Sequence, residues 1–260
     1  MKKLLVLFLL LILLPLSSCN NREVVEQTST YVLPKNLNIN IETGSLTIKL
    51  DDTLDEDSMQ VYYKYESEES YSLDSYYIHS ESGVSNSVII TINPSSYNIF
   101  SINIESYLLT LVIQNVQIDS LTVSSPRLDL SISNLVSNDI KLESTQSYSH
   151  RIVNVSADTL TITSDKCNNL WLEKNTITNI DINITNSQSH IYRNSFEIIT
   201  IYQLFGKIDG AFLDNLGYTI NCEAENIIST DMRATDNVYG DGSSEINFTV
   251  TNGEIVIWVV

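Results

Sequence analysis

Leu121-Thr122-Val123, Ile140-Lys141-Leu142, Leu160-Thr161-Ile162, Ile180-Asp181-Ile182 and Ile199-Thr200-Ile201 begin at positions that step by 19, 20, 20 and 19. Each triplet is apolar at its ends and polar in the middle, the pattern of a strand with one buried and one wet face. A spacing this constant is the mark of a repeat rather than of a sandwich with chance turn lengths. A fainter series, Leu128-Asp129-Leu130, Leu170-Trp171-Leu172 and Ile191, lies about half a period away. An asparagine precedes each strong strand, at Asn115, Asn134, Asn154, Asn175 and Asn194.

One arrangement accounts for all three series: an all-β, single-domain parallel β-helix, or β-solenoid, with coils of about 20 residues. Equivalent strands of successive coils stack about 4.8 Å apart, so Ile, Leu and Val form ladders along the interior. The five asparagines are expected at corners as a structural ladder, because their amides bond to backbone and tolerate turn geometry. Residues 100–260 then make about eight coils, a rod of about 40 Å.

The same periodicity leads to further expectations. Phe205-Gly206-Lys207-Ile208-Asp209-Gly210 interrupts the register and reads as a corner or inserted loop. The last runs, Ile246–Val250 and Ile255–Val260, carry no polar cap, so end strands folding back are expected to cover them. Cys167 and Cys222 are nearly three coils apart, about 13 Å along the axis. That exceeds the Cα separation a disulfide spans, and both are expected free and buried.

The N-terminus has a different character. In Met1–Cys19, Lys2 and Lys3 form a basic head, Leu4–Leu16 an apolar run, and Leu16-Ser17-Ser18-Cys19 the end. The run is shorter than the roughly 20 residues a membrane-spanning helix needs, but it suits a cleavable export signal. Leu16–Cys19 resembles the lipobox of bacterial lipoproteins. The resemblance implies cleavage before Cys19, lipidation of its sulfur and anchoring to a membrane by acyl chains. The expected organisation is a signal peptide over 1–18, a lipidated flexible tether over 19–34 and a solenoid domain over 35–260. The expected location is the cell envelope, outside the cytoplasm.

Loss of residues 1–18 removes two lysines, so the formal charge of −18 falls to about −20. Such an acidic chain is repelled by phosphate backbones, which disfavours nucleic-acid binding, and no nucleic-acid partner is expected. Abundant Asn, Ser, Thr and Ile with scarce Gly and Pro suit strands joined by polar turns.

Two segments resemble the putative-adhesin family of bacterial surface proteins, whose domain is a β-helix of short alternating strands. One is Leu37–Leu50, read as a strand, a turn at Gly44 and a second strand, followed by an acidic loop and Val61-Tyr62-Tyr63-Lys64-Tyr65. The other is Tyr239-Gly240-Asp241-Gly242-Ser243-Ser244-Glu245-Ile246, continuing through Thr251–Ile255. The resemblance implies a surface-exposed, non-enzymatic role and supplies no catalytic residues.

Asp51, Asp52, Asp55, Glu56 and Asp57 lack the Gly and Glu that an EF-hand requires at its sixth and twelfth positions, so they read as a solvated hairpin loop. Tyr71, Tyr76 and Tyr77 with Glu68, Glu69 and Asp74 form the candidate interaction loop, where rings beside carboxylates can grip a sugar or a protein. His79, His150 and His190 read as surface residues near turns. Asp139, Asp158 and Asp181 are candidate stacked acids for glycoside cleavage, which needs two carboxyls about 6.5–9.5 Å apart, but their Ser, Thr and Asn neighbours are typical of turns. No nucleophile-elbow, zinc-protease or phosphate-loop pattern is present. The expected function is a non-enzymatic lipoprotein that presents a β-solenoid for adhesion or for binding a surface partner, with no metal and no cofactor. The alternatives are a carbohydrate-binding or carbohydrate-cleaving surface protein and an envelope-stress or regulatory component.

Overall fold

The structure is a computed structural model, and it describes residues 24–66, 73–74, 77–80, 84–95, 100–213, 217–229 and 238–259. Its elements are all strands: β1 (Val24–Val32), β2 (Asn36–Leu50), β3 (Ser58–Glu66), β4 (Leu73–Asp74), β5 (Tyr77–Ser80), β6 (Val84–Asn93), β7 (Ser101–Gln117), β8 (Ser120–Val136), β9 (Asp139–Val153), β10 (Ser156–Glu173), β11 (Thr176–Tyr192), β12 (Ile198–Phe212), β13 (Tyr218–Ser229), β14 (Val238–Tyr239) and β15 (Ser244–Val259).

Each regular coil is one long strand and a short link. In β8 and the residues after it, the buried positions are Leu121, Val123 and Ser125, then Leu128, Leu130 and Ile132, then Leu135 and Ser137. Ile140 begins the next coil. Alternation of period two slips by one residue at three places per coil, so the strand turns three corners and its inner face stays inward throughout. The result is an all-β solenoid of parallel rungs.

The rungs are in register. Ile102, Leu121, Ile140, Leu160, Ile180 and Ile199 are successive partners, flanked by Leu37 on one side and by Ile246 and Ile220 on the other. Of these, all but Ile220 are fully buried or nearly so. Burial of each such side chain contributes about 1.5–3 kcal/mol, and every rung supplies the apolar surface its neighbour needs.

Both ends depart from simple stacking. The order of strands is β1-β3-β6-β2-β7-β8-β9-β10-β11-β12-β15-β13-β14. At the N-terminal end, β1, β3 and β6 pair antiparallel and close the stack against β2. Residues 24–32, expected within a flexible tether, therefore form a strand. The expectation missed it because Glu26, Gln27, Thr28 and Thr30 are exposed and β1 is held by backbone pairing, leaving no apolar alternation to read.

At the C-terminal end β15 enters between β12 and β13. The apolar runs of β15 are thus internal, covered by a strand that precedes them in the chain. The free side of β13 carries Glu223 and Glu225 among its exposed residues, charges that discourage further strand addition.

Two more expectations are corrected in part. Phe205–Gly210 is a corner within β12, as one of the two readings had it, and not an inserted loop, since it pairs residue by residue with β11 and β15. Gly206 is needed at its bend: its φ is +114°, and an added Cβ would collide with the Ser187 carbonyl oxygen. Leu37–Leu50 is likewise one continuous strand bent at Gly44, not two strands about a turn.

Candidate functional site

The asparagines occupy two adjacent rows rather than one. Asn115, Asn134 and Asn154 sit at a corner in the left-handed region, with φ of 56°, 52° and 55°. Their exposed amides run along the rod, Asn134 Nδ2 donating to Asn115 Oδ1 at 2.8 Å and Asn154 Nδ2 to Asn134 Oδ1 at 2.6 Å. In the next two coils that corner is held by Lys174 and Arg193 at φ of 56° and 55°. Asn175 and Asn194 are one residue further along and buried, the positions that Val116, Leu135 and Val155 fill in earlier coils.

There the amides replace apolar packing with backbone hydrogen bonds. Asn175 Oδ1 accepts from the Val155 N–H at 2.9 Å, and its Nδ2 donates to the Ile152 carbonyl at 3.0 Å. Asn194 Nδ2 donates to the Leu172 carbonyl at 3.0 Å. Buried amides satisfied in this way hold the corner rigid.

The histidines are corrected in part. His150 is not a surface residue: it is completely buried in the rung between Leu130 and Leu170. The coil from Gln146 to Ile152 is polar in sequence, and register alone carries its imidazole inward. His150 Nε2 lies 2.9 Å from Ser147 Oγ, which continues to Ser144 and Ser164. Its Nδ1 has no hydrogen-bond partner in good geometry. Burial pushes the imidazole down to about 4, although the Leu128 carbonyl and the Asp129 carboxylate both favour its protonation. His79 pairs through its backbone with Asn40 in β5–β2.

Beside this polar chain is a depression of about 290 Å³, lined by Leu108, Arg127, Asp129, Gln146, Ser147 and Tyr148. The Asp129 carboxylate is committed to the corner, accepting the backbone N–H groups of Tyr148 and Ser149 at 2.6 and 3.2 Å. Asp139 and Asp181 belong to different rows, paired with Thr159 and Thr161 respectively, and Asp158 lies outside both rows. The three acids therefore do not stack, because the repeat places each at a different phase of its coil.

Cys167 and Cys222 are free, the first buried and the second partly so. They are four rungs apart, about 19 Å, because β15 is interposed. Asp51 accepts the backbone N–H and hydroxyl of Thr53 at 3.0 and 2.6 Å in the hairpin loop. Among the described residues no three His, Cys, Asp or Glu side chains are grouped to hold an ion. Cys19, Glu68, Glu69, Tyr71 and Tyr76 lie outside the described residues. Asp74 and Tyr77 are register partners in β4–β5.

A surface that the sequence reading missed lies on the outer side of β10, β11, β12 and β15. Trp171, His190 and Asp209 are successive partners in one outward row. Glu173, Tyr192, Ala211 and Trp258 form the next outward row. Ring centroids are 4.9 Å apart for Trp171–His190, 5.2 Å for Trp171–Tyr192 and 5.7 Å for His190–Tyr192. Tyr192 Oη donates to Asp209 Oδ2 at 2.8 Å and Trp258 Nε1 to Asp209 Oδ1 at 2.9 Å. Trp171 Nε1 donates to Glu173 Oε2 at 3.1 Å.

Burial, and then the bond to Asp209, push the Tyr192 phenol up to about 12. Burial depresses His190 below its ordinary value against the opposing pull of Asp209, so the ring is neutral at pH 7. Chemically, the face offers flat apolar rings beside an oriented carboxylate.

No protein-family model matches the chain, and no curated protein matches its sequence. Solved structures similar to it include two adhesin-named proteins. A putative cell adhesion protein from Clostridium sporogenes ATCC 15579 is 12% identical, over 92% of this chain and 100% of that one, with a TM-score of 0.25. A putative adhesin from Bacteroides fragilis NCTC 9343 is 11% identical, over 91% of this chain and 98% of that one, with a TM-score of 0.42.

Proposed function

We propose that this protein is a non-enzymatic envelope lipoprotein that presents a β-solenoid, on a lipid anchor at Cys19, to bind a partner outside the cytoplasm. The observation that carries the reading is where the chain enters the rod. β1 is the terminal strand of the N-terminal end, and Val24 is only five residues beyond Cys19. Five residues span at most about 18 Å, so a lipid on Cys19 holds that end close to the bilayer. The rungs then lead away from the anchor, with β13 and the short β14 at the opposite end. Two or three acyl chains suffice for stable attachment.

The test is Cys19→Ser, followed by fractionation, mass determination and protease treatment of intact cells. The expected result is loss of the lipid mass and release from the membrane, or accumulation of the unprocessed chain. A variant that stays membrane-bound with the mature, lipidated mass overturns the anchor. Chemical crosslinking on intact cells with capture of the protein tests the binding role.

A further inference from the structure

We propose that the depression beside Asp129 is a binding site for a free apolar α-amino acid, with Arg127 taking its carboxylate and Asp129 its ammonium. The proposal goes beyond the binding role above and does not depend on it.

The depression arises from a change in coil length. Leu121 and Ile140 are 19 residues apart, whereas Ile140 and Leu160 are 20 apart. The added residue falls at one corner. Between the partners Arg127–Gln146 and Leu130–His150, β8 has two residues and β9 has three: Ser147, Tyr148 and Ser149. β10 keeps the longer corner, with Lys166, Cys167 and Asn169 opposite Gln146, Ser147 and Ser149. In β9 and β10 the corner is therefore wider than in β8, and a step is left on the outside of the rod. The depression of about 290 Å³ lies at this step. That volume is at the lower end for small-molecule sites and suits a ligand of about ten non-hydrogen atoms.

Two opposite charges line the depression without meeting. Asp129 accepts the N–H groups of Tyr148 and Ser149, which have no register partner in β8, and both bonds go to Oδ1. Among the described residues Oδ2 has no hydrogen-bond partner. The Arg127 side chain is exposed and joins no ion pair among them, with Asp129 or any other acid. Its five N–H donors are open to a ligand.

A ligand that carries both charges satisfies both residues. Arg127 takes a carboxylate through paired N–H donors, and Asp129 Oδ2 accepts from an ammonium. The chain carries −18, which opposes a net anion, while Arg127 opposes a net cation. A zwitterion meets neither penalty. Leu108 and Tyr148 also line the depression and are 43% and 68% exposed. Covering their apolar surface favours an aliphatic or aromatic side chain on the ligand.

Isothermal titration calorimetry of the purified full chain with L-leucine tests the site. L-Leucinamide lacks the carboxylate, N-acetyl-L-leucine lacks the ammonium, and leucyl-leucine separates the two charges. The expected result is saturable binding of leucine with a Kd of about 1 mM or tighter, and binding at least about tenfold weaker for each analogue. Arg127→Gln is expected to weaken leucine binding about tenfold or more with an unchanged melting temperature, because the side chain is exposed and unpaired. Arg151→Gln changes the net charge equally at an exposed position outside the depression, and full affinity is expected to remain.

Four outcomes overturn the site: no saturable heat from folded wild type at about 20 mM leucine, any analogue binding within about tenfold of leucine, full affinity in Arg127→Gln, or an equal loss in Arg151→Gln. None of these readouts involves Cys19 or a crosslinked partner, so their failure leaves the anchor and the binding role standing. A failed anchor likewise leaves the titration interpretable.

Discussion

Asn194 Oδ1 accepts from Asn175 twice, from the backbone N–H at 3.0 Å and from the side-chain Nδ2 at 2.9 Å. Both residues are buried, so neither set of donors has water as an alternative. Asn194→Ala removes the acceptor of the buried Asn175 N–H and of its side-chain Nδ2, and the expected loss is about 3 kcal/mol. Asn134→Ala, in the exposed row, is expected to cost only about 1–1.5 kcal/mol, mostly for placing alanine in the left-handed region. Urea denaturation of both variants decides it; equal losses would mean that the inner amides are not the main fastening.

Lys174 occupies the left-handed corner that Asn154 holds one coil earlier, without a side chain suited to it. Lys174→Asn is expected to stabilise the protein by about 0.5–1 kcal/mol, as a tolerant residue replaces an intolerant one. The exposed contact of Lys174 with Glu173 is 3.7 Å long and little is lost with it. A melting temperature that falls contradicts the assignment.

His150 makes stability depend on pH. Its folded value of about 4 lies below the ordinary 6.5, so the unfolded chain binds more protons between those values. Stability is therefore complete above pH 6.5 and declines as pH drops toward 4, by about 3 kcal/mol in all. His150→Leu, which matches Leu130 and Leu170, is expected to abolish most of this decline. Unfolding midpoints at pH 5 and pH 7.5 test it: an unchanged difference between the two in the variant assigns the acid sensitivity elsewhere.

Deletion of residues 244–259 is expected to do more than shorten the rod. It removes Ile246, Phe248, Val250, Ile255 and Ile257 from the core and leaves β12 with an open edge. Open edges of parallel sheets recruit other chains, so size-exclusion chromatography should show aggregates in place of the peak of the intact protein. A monodisperse truncated monomer would contradict the internal position of β15.

The interior ladder was legible because every coil repeats its apolar pair after 19 or 20 residues, from Leu121 to Ile199. His150 was legible in principle: 20 residues after Leu130 and 20 before Leu170 both fall on it. Its polarity argued for the surface, and register overruled residue type. The aromatic face has the same kind of trace, since Trp171, His190 and Asp209 step by 19. A search confined to apolar positions passes over it. Trp258 could not be placed on that face, because β15 returns to the stack 47 residues after its partner in β12 and no local pattern records the return. β1 left no trace for the opposite reason: its pairing uses main-chain groups that every sequence has.

The insertion of β15 also sets an order of events for a chain delivered N-terminus first. From β7 onward each strand arrives to find its template in place, and the stack can grow through Phe212. There growth must pause. Residues 218–229 emerge next, but their parallel partner has not yet been made. Only when residues up to Val259 have been made can β15 lie on β12 and give β13 its seat. Residues 244–259 therefore act as the latch for a strand made before them, and a chain that lacks them cannot seat β13.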